Sequence, residues 1–128
     1  MAKTLAQKLL IKPGYRVAIL DAPAHYTTTL GALPDGVTVV HDLDGSFDLI
    51  QVFVTTHKNI EGRVEALKDA LVSDGLLWVC YPKGGTKAKV PTDLNRDSLY
   101  ALLLEHRLEG IAMISIDDTW SAMRLKRI

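Results

Sequence analysis

The chain has 128 residues, 48% of them apolar, with 15 basic side chains balanced by 15 acidic ones. That length suits one core, and a net charge of zero excludes a global field drawing the protein to nucleic acid or to an anionic membrane. The apolar runs are too short to span a bilayer, the first ten residues lack a signal peptide's apolar centre, and the single cysteine, Cys80, leaves no intrachain disulfide; the expectation is a cytoplasmic protein.

In chain order, Thr4 and Gln7 of TLAQKLLIKPG stand at capping-box spacing and predict a short lid helix stopped by Pro13-Gly14. YRVAIL reads as a buried strand, His25 to Leu33 as a short helix, and VTVVH and FDLIQVFVTT as two further strands rich in β-branched residues. In NIEGRVEALKDALVSDG, Ile60, Val64, Leu67 and Leu71 share one face, which predicts a single helix ending at Gly75. LLWVCYP reads as a central strand and KGGTKAKVPTDL as the loop after it. Asn95 to Leu108 reads as the last helix, with Leu99, Leu102 and Leu103 inward and Gly110 closing it; IAMISI and AMRLKR around DDTWS predict an antiparallel hairpin.

Strands alternating with helices imply a three-layer α/β/α, Rossmann-like fold. Its sheet is mostly parallel, of about six strands, with the C-terminal hairpin as an antiparallel edge. DLDGS is short for a crossover and Asp44-Gly45 is a hairpin signal, yet the favoured reading is a parallel pair of strands joined by a short extended return.

A strand reading DGLLWVCYPK, followed by a helix and a closing hairpin, resembles the second half of a class I S-adenosylmethionine-dependent methyltransferase. More closely, KPGYRVAILDAP, FDLIQVFVTT, DGLLWVCYPKGGTKAKVPTDL and DDTWSAMRLK together resemble a family of small bacterial proteins of unknown function that look like shortened methyltransferase domains, over about Lys12 to Lys126. The resemblance implies a methyltransferase-like fold but no assigned activity. In that superfamily an acidic residue ends the first strand and a glycine-rich turn follows, since backbone without β-carbons lets the cofactor approach. The resemblance puts Asp21 at the acidic position and Asp42 where a second acid binds the ribose, but Pro23 and His25 where glycines belong. The pocket is therefore expected to be partly filled and to hold no cofactor; S-adenosylmethionine on Asp21 and Asp42 is the alternative.

In open α/β sheets a ligand sits beyond the carboxyl ends of the central strands. That edge collects Asp21, Pro23 and His25, then Thr55, Thr56 and His57, then Tyr81 and Lys83. Amides of a helix starting near Thr56 suit an anion unless Thr56 or Asn59 caps them. Lys83, Lys87 and Lys89 form an acid-free run around Gly84-Gly85 that either clamps an anion or is a solvated loop. Asp117 and Trp120 read as a turn residue and a packing residue in preference to a cation or stacking site. His25, His41, His57 and His106 show no metal-binding pattern, Cys80 reads as a small buried residue, and no nucleophile elbow occurs. The expected function is a non-catalytic domain for a small anionic ligand or a protein partner, with the exposed side of the last strand able to pair between subunits. The alternative is a divergent S-adenosylmethionine-dependent methyltransferase with Tyr81, Lys83 or His57 near its substrate.

Overall fold

The computed structural model describes residues 3–84 and 90–128. It contains α1 (Leu5–Lys8), β1 (Arg16–Leu20), α2 (Tyr26–Leu30), β2 (Thr38–Val40), β3 (Phe47–Phe53), α3 (His57–Glu61), α4 (Val64–Ala70), β4 (Leu71–Pro82), α5 (Arg96–Glu105), β5 (Leu108–Ser115) and β6 (Trp120–Arg127). The six strands form one sheet in the order β2-β1-β3-β4-β6-β5. The first four are parallel and the closing hairpin is antiparallel. The α/β fold expected from the alternation of strands and helices is the one observed.

Period-two alternation distributes the strand side chains over two cores. Val17, Ile19, Leu49, Phe53, Trp78 and Cys80 pack toward α1 and α2. Ala18, Leu20, Ile50, Val52, Val79 and Tyr81 pack on the other face with α3, α4 and α5. The helices of the first face have only four and five residues, so that layer is thin.

β2 and β3 are parallel, as expected, but they do not pair with each other: each pairs with β1, from opposite sides. Residues 41–46 thus carry the chain past β1, and the strand order reverses there. The passage is short because β2 has only three residues. It is pinned by the Arg16 guanidinium on the Asp44 carbonyl, and by Gly45, whose φ of +97° excludes other residues and whose missing β-carbon leaves room for Arg16.

Helix boundaries differ from expectation in four places, the simplest being α2, which ends at Leu30 and not at Leu33. The capping box of α1 is present, with Gln7 N on Thr4 Oγ1 at 3.2 Å and Thr4 N on Gln7 Oε1 at 2.9 Å. That helix nevertheless ends at Lys8, because the Trp78 indole donates to the Leu9 carbonyl at 2.9 Å and Leu10 turns left-handed, with φ of 66°. The helix predicted to end at Gly75 is two helices. Gly62, which weakens a helix interior by about 1 kcal/mol, separates α3 from α4, and α4 stops at Ala70. Arg127 then takes the carbonyls of Lys68, Leu71 (3.0 Å) and Val72 (3.2 Å), and the chain enters β4 early. Gly75 lies inside β4, where a β-carbon would come within 2.7 Å of the Leu71 side chain. At α5 the cap is Asn95, and the exit is made by Arg107 with φ of 66° rather than by Gly110. Gly110 belongs to β5, beneath the Tyr100 ring.

Candidate functional site

Strand order reverses at β1, so its carboxyl end is where the fold directs a ligand. A cleft of about 490 Å³ opens there, between α2 and the edge formed by β1 and β2. Ile19, Leu30, Leu33 and Val39 give it apolar walls, while Asp21 and His41 supply polar groups. It exists because α2 is too short to cover this face of the two strands.

Backbone geometry at the loop before α2 bears directly on the missing glycines. Asp21 has φ of 57° and His25 φ of 68°, both in the left-handed region that glycine occupies without strain. The His25 side chain makes no capping bond to α2 and is exposed. The loop thus keeps a glycine-like turn with a residue that pays for it in strain, and the exposed imidazole lines the cleft. Pro23 and His25, the two residues expected to fill the pocket in part, both line the cleft. Replacing His25 with glycine is expected to stabilise the fold by about 1 kcal/mol, the left-handed penalty less part of glycine's extra unfolded-state entropy. Urea unfolding of H25G checks this, and a loss of stability would mean that the imidazole contributes more than the backbone strain costs.

Asp21 is not alone at the rim. Arg63, at the break between α3 and α4, brings Nη1 to 2.6 Å from its carboxylate. Across the cleft His41 places Nδ1 3.1 Å from the Ile19 carbonyl. A carbonyl only accepts, so Nδ1 is the donor in this contact, and the tautomer that donates there presents Nε2 as an acceptor. Asp42, the sequence candidate for a ribose, is not in the cleft lining; its carboxylate accepts from Asp44 N at 3.1 Å and closes the turn into β3.

Below the cleft the Tyr26 ring is buried edge-on to Phe53, with centroids 4.8 Å apart, and Phe53 meets Trp120 in the same way at 5.1 Å. Gln51, fully buried in β3, donates Nε2 to the Tyr26 hydroxyl at 2.6 Å and approaches Cys80 Sγ at 3.4 Å. Burial raises the Tyr26 hydroxyl above the usual tyrosine range and pushes the Cys80 thiol up to about 12. Both are structural groups, protonated at neutral pH.

Of the sequence candidates for this edge, Asp21, Pro23 and His25 line the cleft, and Thr55, Thr56, His57, Tyr81 and Lys83 do not. Thr55 binds Asn59 Oδ1 through its amide and hydroxyl, at 3.0 and 2.9 Å, and its carbonyl takes the Thr92 hydroxyl at 2.6 Å. Thr56 caps Asn59 N at 3.1 Å, and His57 N is taken by Asp93 Oδ1 at 2.9 Å, with the imidazole 3.4 Å from the same oxygen. Two of the α3 amides proposed for an anion, those of His57 and Asn59, are therefore met by side chains. Tyr81 faces the opposite core, 4% exposed, with its hydroxyl 3.9 Å from Met113 Sδ. Lys83 binds Ser115 Oγ at 2.6 Å. Lys87 and Lys89 lie outside the described residues. Asp117 holds the amides of Thr119 and Trp120 at 2.8 and 2.9 Å, so it closes the hairpin turn. Among the described residues no group of three potential metal ligands occurs, and no helix is long and apolar enough to cross a membrane.

His41 was legible in principle. Side chains two apart on a strand share a face, so Val39 and His41 point to one side and Asp42 to the other. Arg63 carries no local signal: it lies 42 residues from Asp21 and is brought there by the helix break.

The order of the strands and the antiparallel closing hairpin define the class: this is the Rossmann-like α/β fold of the S-adenosylmethionine-dependent methyltransferases. Among solved structures the chain is similar to a SAM-dependent methyltransferase from Aquifex aeolicus, with a TM-score of 0.70 and 13% identity over 95% of this chain and 87% of that one. It is also similar to DhpI in complex with SAH, at TM-score 0.64 and 12% identity over 96% and 82%. A TehB-like SAM-dependent methyltransferase from Corynebacterium glutamicum matches at 0.62 and 13% over 100% and 89%. At these identities the likeness is one of fold. No family model and no curated protein matches the chain.

Proposed function

We propose that the chain is a small-ligand-binding domain that takes S-adenosylmethionine or its demethylated product at the carboxyl end of β1, without carrying out methyl transfer. The observation behind this reading is the open cleft of about 490 Å³ at the reversal of strand order, a volume within the usual range for ligand sites. Its residues fit a nucleoside. Ile19, Leu30 and Val39 suit a ring face, His41 Nε2 suits a hydroxyl donor, and the paired charges of Asp21 and Arg63 suit an amino-acid head group.

The reading without methyl transfer follows the placement of His57, Tyr81 and Lys83, none of which lines the cleft. A divergent methyltransferase is the second reading, favoured by the fold's likeness to DhpI, whose complexes hold SAH and SAM. The two share a ligand and differ in the fate of the methyl group.

Thermal unfolding with either compound tests the binding. Ligand at about 100 times its dissociation constant stabilises the native state by about 2.7 kcal/mol and raises the midpoint by several degrees. No shift at millimolar ligand would return the function to a small anion or a protein partner. Formation of the demethylated product above the protein-free rate, across a panel of acceptors, would favour the transferase.

A further inference from the structure

We infer that β5 and α5 form a self-association face on which a second copy of this chain docks, strand against strand. Four of the five exposed large apolar side chains among the described residues belong to these two elements: Tyr100 (37%), Leu104 (43%), Ile111 (43%) and Met113 (41%). Among the described residues β5 ends the sheet and pairs with β6 alone, which leaves its outer edge to extend the ladder.

Edges meant to stay single carry lysines, prolines or inward charges. From Gly110 to Ile116 this strand has no charged residue and no proline. Its one irregularity, between Gly110 and Ala112, lies at the start of the strand and leaves residues 112–116 regular.

The occupant follows from symmetry and charge. An antiparallel pair of identical edges is related by a two-fold axis normal to the sheet, which keeps α5 and its copy on the same face, side by side. Tyr100 and Leu104 are one helical turn apart on α5, so the same rotation that joins the strands brings these side chains toward their counterparts. The ends of the strand are of opposite sign. Arg107 precedes it, Asp117 and Asp118 follow it, and Glu109 is answered by Lys126 in the β5–β6 register. Antiparallel pairing with a second copy sets the basic end against the acidic end twice; a parallel copy would set like against like. The ligand cleft lies beside β1 and β2, at the far end of the sheet, so the contact leaves it open.

Sedimentation equilibrium of the full chain at about 100 μM, a hundredfold above a micromolar dissociation constant, should return twice the chain mass. Met113→Lys on the edge and Leu104→Glu on the helix should each return the single-chain mass with an unchanged far-UV spectrum. Both positions are exposed, so folding should survive, and the two changes sit on different elements should one fail. A wild-type monomer at that concentration would overturn the inference, as would a dimer that persists in both folded variants.

Discussion

Trp78→Ala is expected to cost about 3–5 kcal/mol, as a large aromatic removed from a closed core does. Trp78 is 1% exposed at the centre of β4, with the Arg124 guanidinium 6.0 Å from its ring and its indole nitrogen bound to the Leu9 carbonyl. The loss combines a cavity with an unmatched carbonyl at the end of α1. Domains of this kind are stable by about 5–15 kcal/mol in total, so the variant would sit close to the folding threshold. Trp78→Phe separates the two contributions. It keeps a ring and removes the donor, and is expected to cost about 1–3 kcal/mol, mostly from the stranded carbonyl. Urea unfolding gives both figures. Hydrogen exchange at the amides bonded within α1 should accelerate in both variants. A cost below about 1 kcal/mol for the alanine change would mean that α1 and the thin layer are not held by this residue.

Raising the pH above 9 is expected to destabilise the fold through the buried thiol. Burial moves Cys80 from an ordinary 9.0 to about 12, with the Gln51 hydrogen bond acting weakly the other way. Between those values the unfolded chain has lost the thiol proton and the folded chain has kept it. The unfolded state then binds fewer protons, so stability falls as pH rises, by at most about 1.4 kcal/mol per pH unit for one group. The contribution is whole below pH 9 and is spent by about pH 12. Tyr26, raised mainly by the same burial, adds to the slope once the unfolded phenol ionises near 10.0. Urea midpoints at about pH 8 and about pH 10, bracketing the unfolded thiol value, should fall more steeply in the wild type than in Cys80→Ala. The cavity left by C80A lowers both of its midpoints and does not enter the slope. Equal slopes would contradict a protonated buried thiol.

The strands, their number and the closing hairpin were legible because alternation and β-branched runs report burial on a pleated surface directly. Strand direction at DLDGS was readable only as a preference, since Asp44-Gly45 also signals a hairpin; the placement of β2 and β3 on opposite sides of β1 was not legible, since it depends on which edge the returning chain reaches. Helix ends were misread where distant groups decide them: Trp78 stops α1, and Arg127 stops α4 from the far end of the chain. The general rule for open sheets points to the edge where the cleft opens, but most of the side chains that line the cleft were not read from the sequence. Thr55, Thr56 and His57 read as convergent polar groups and turned out to be bonded to Asn59, Thr92 and Asp93, a satisfaction that only the tertiary structure reveals. The backbone at His25 was not legible: a bulky residue stands at a glycine position, yet it adopts the left-handed conformation that glycine favours.

Titration calorimetry of the wild-type protein and Thr27→Trp with the demethylated product, S-adenosylhomocysteine, tests the ligand reading most directly. Thr27 is exposed on α2 and lines the cleft, so an indole there occupies the space without disturbing either core. Saturable binding at one site in the wild type, lost in a T27W variant of unchanged thermal midpoint, is the expected result. No heat at millimolar ligand, or equal affinity in the two proteins, would contradict the assignment of this cleft to the nucleoside.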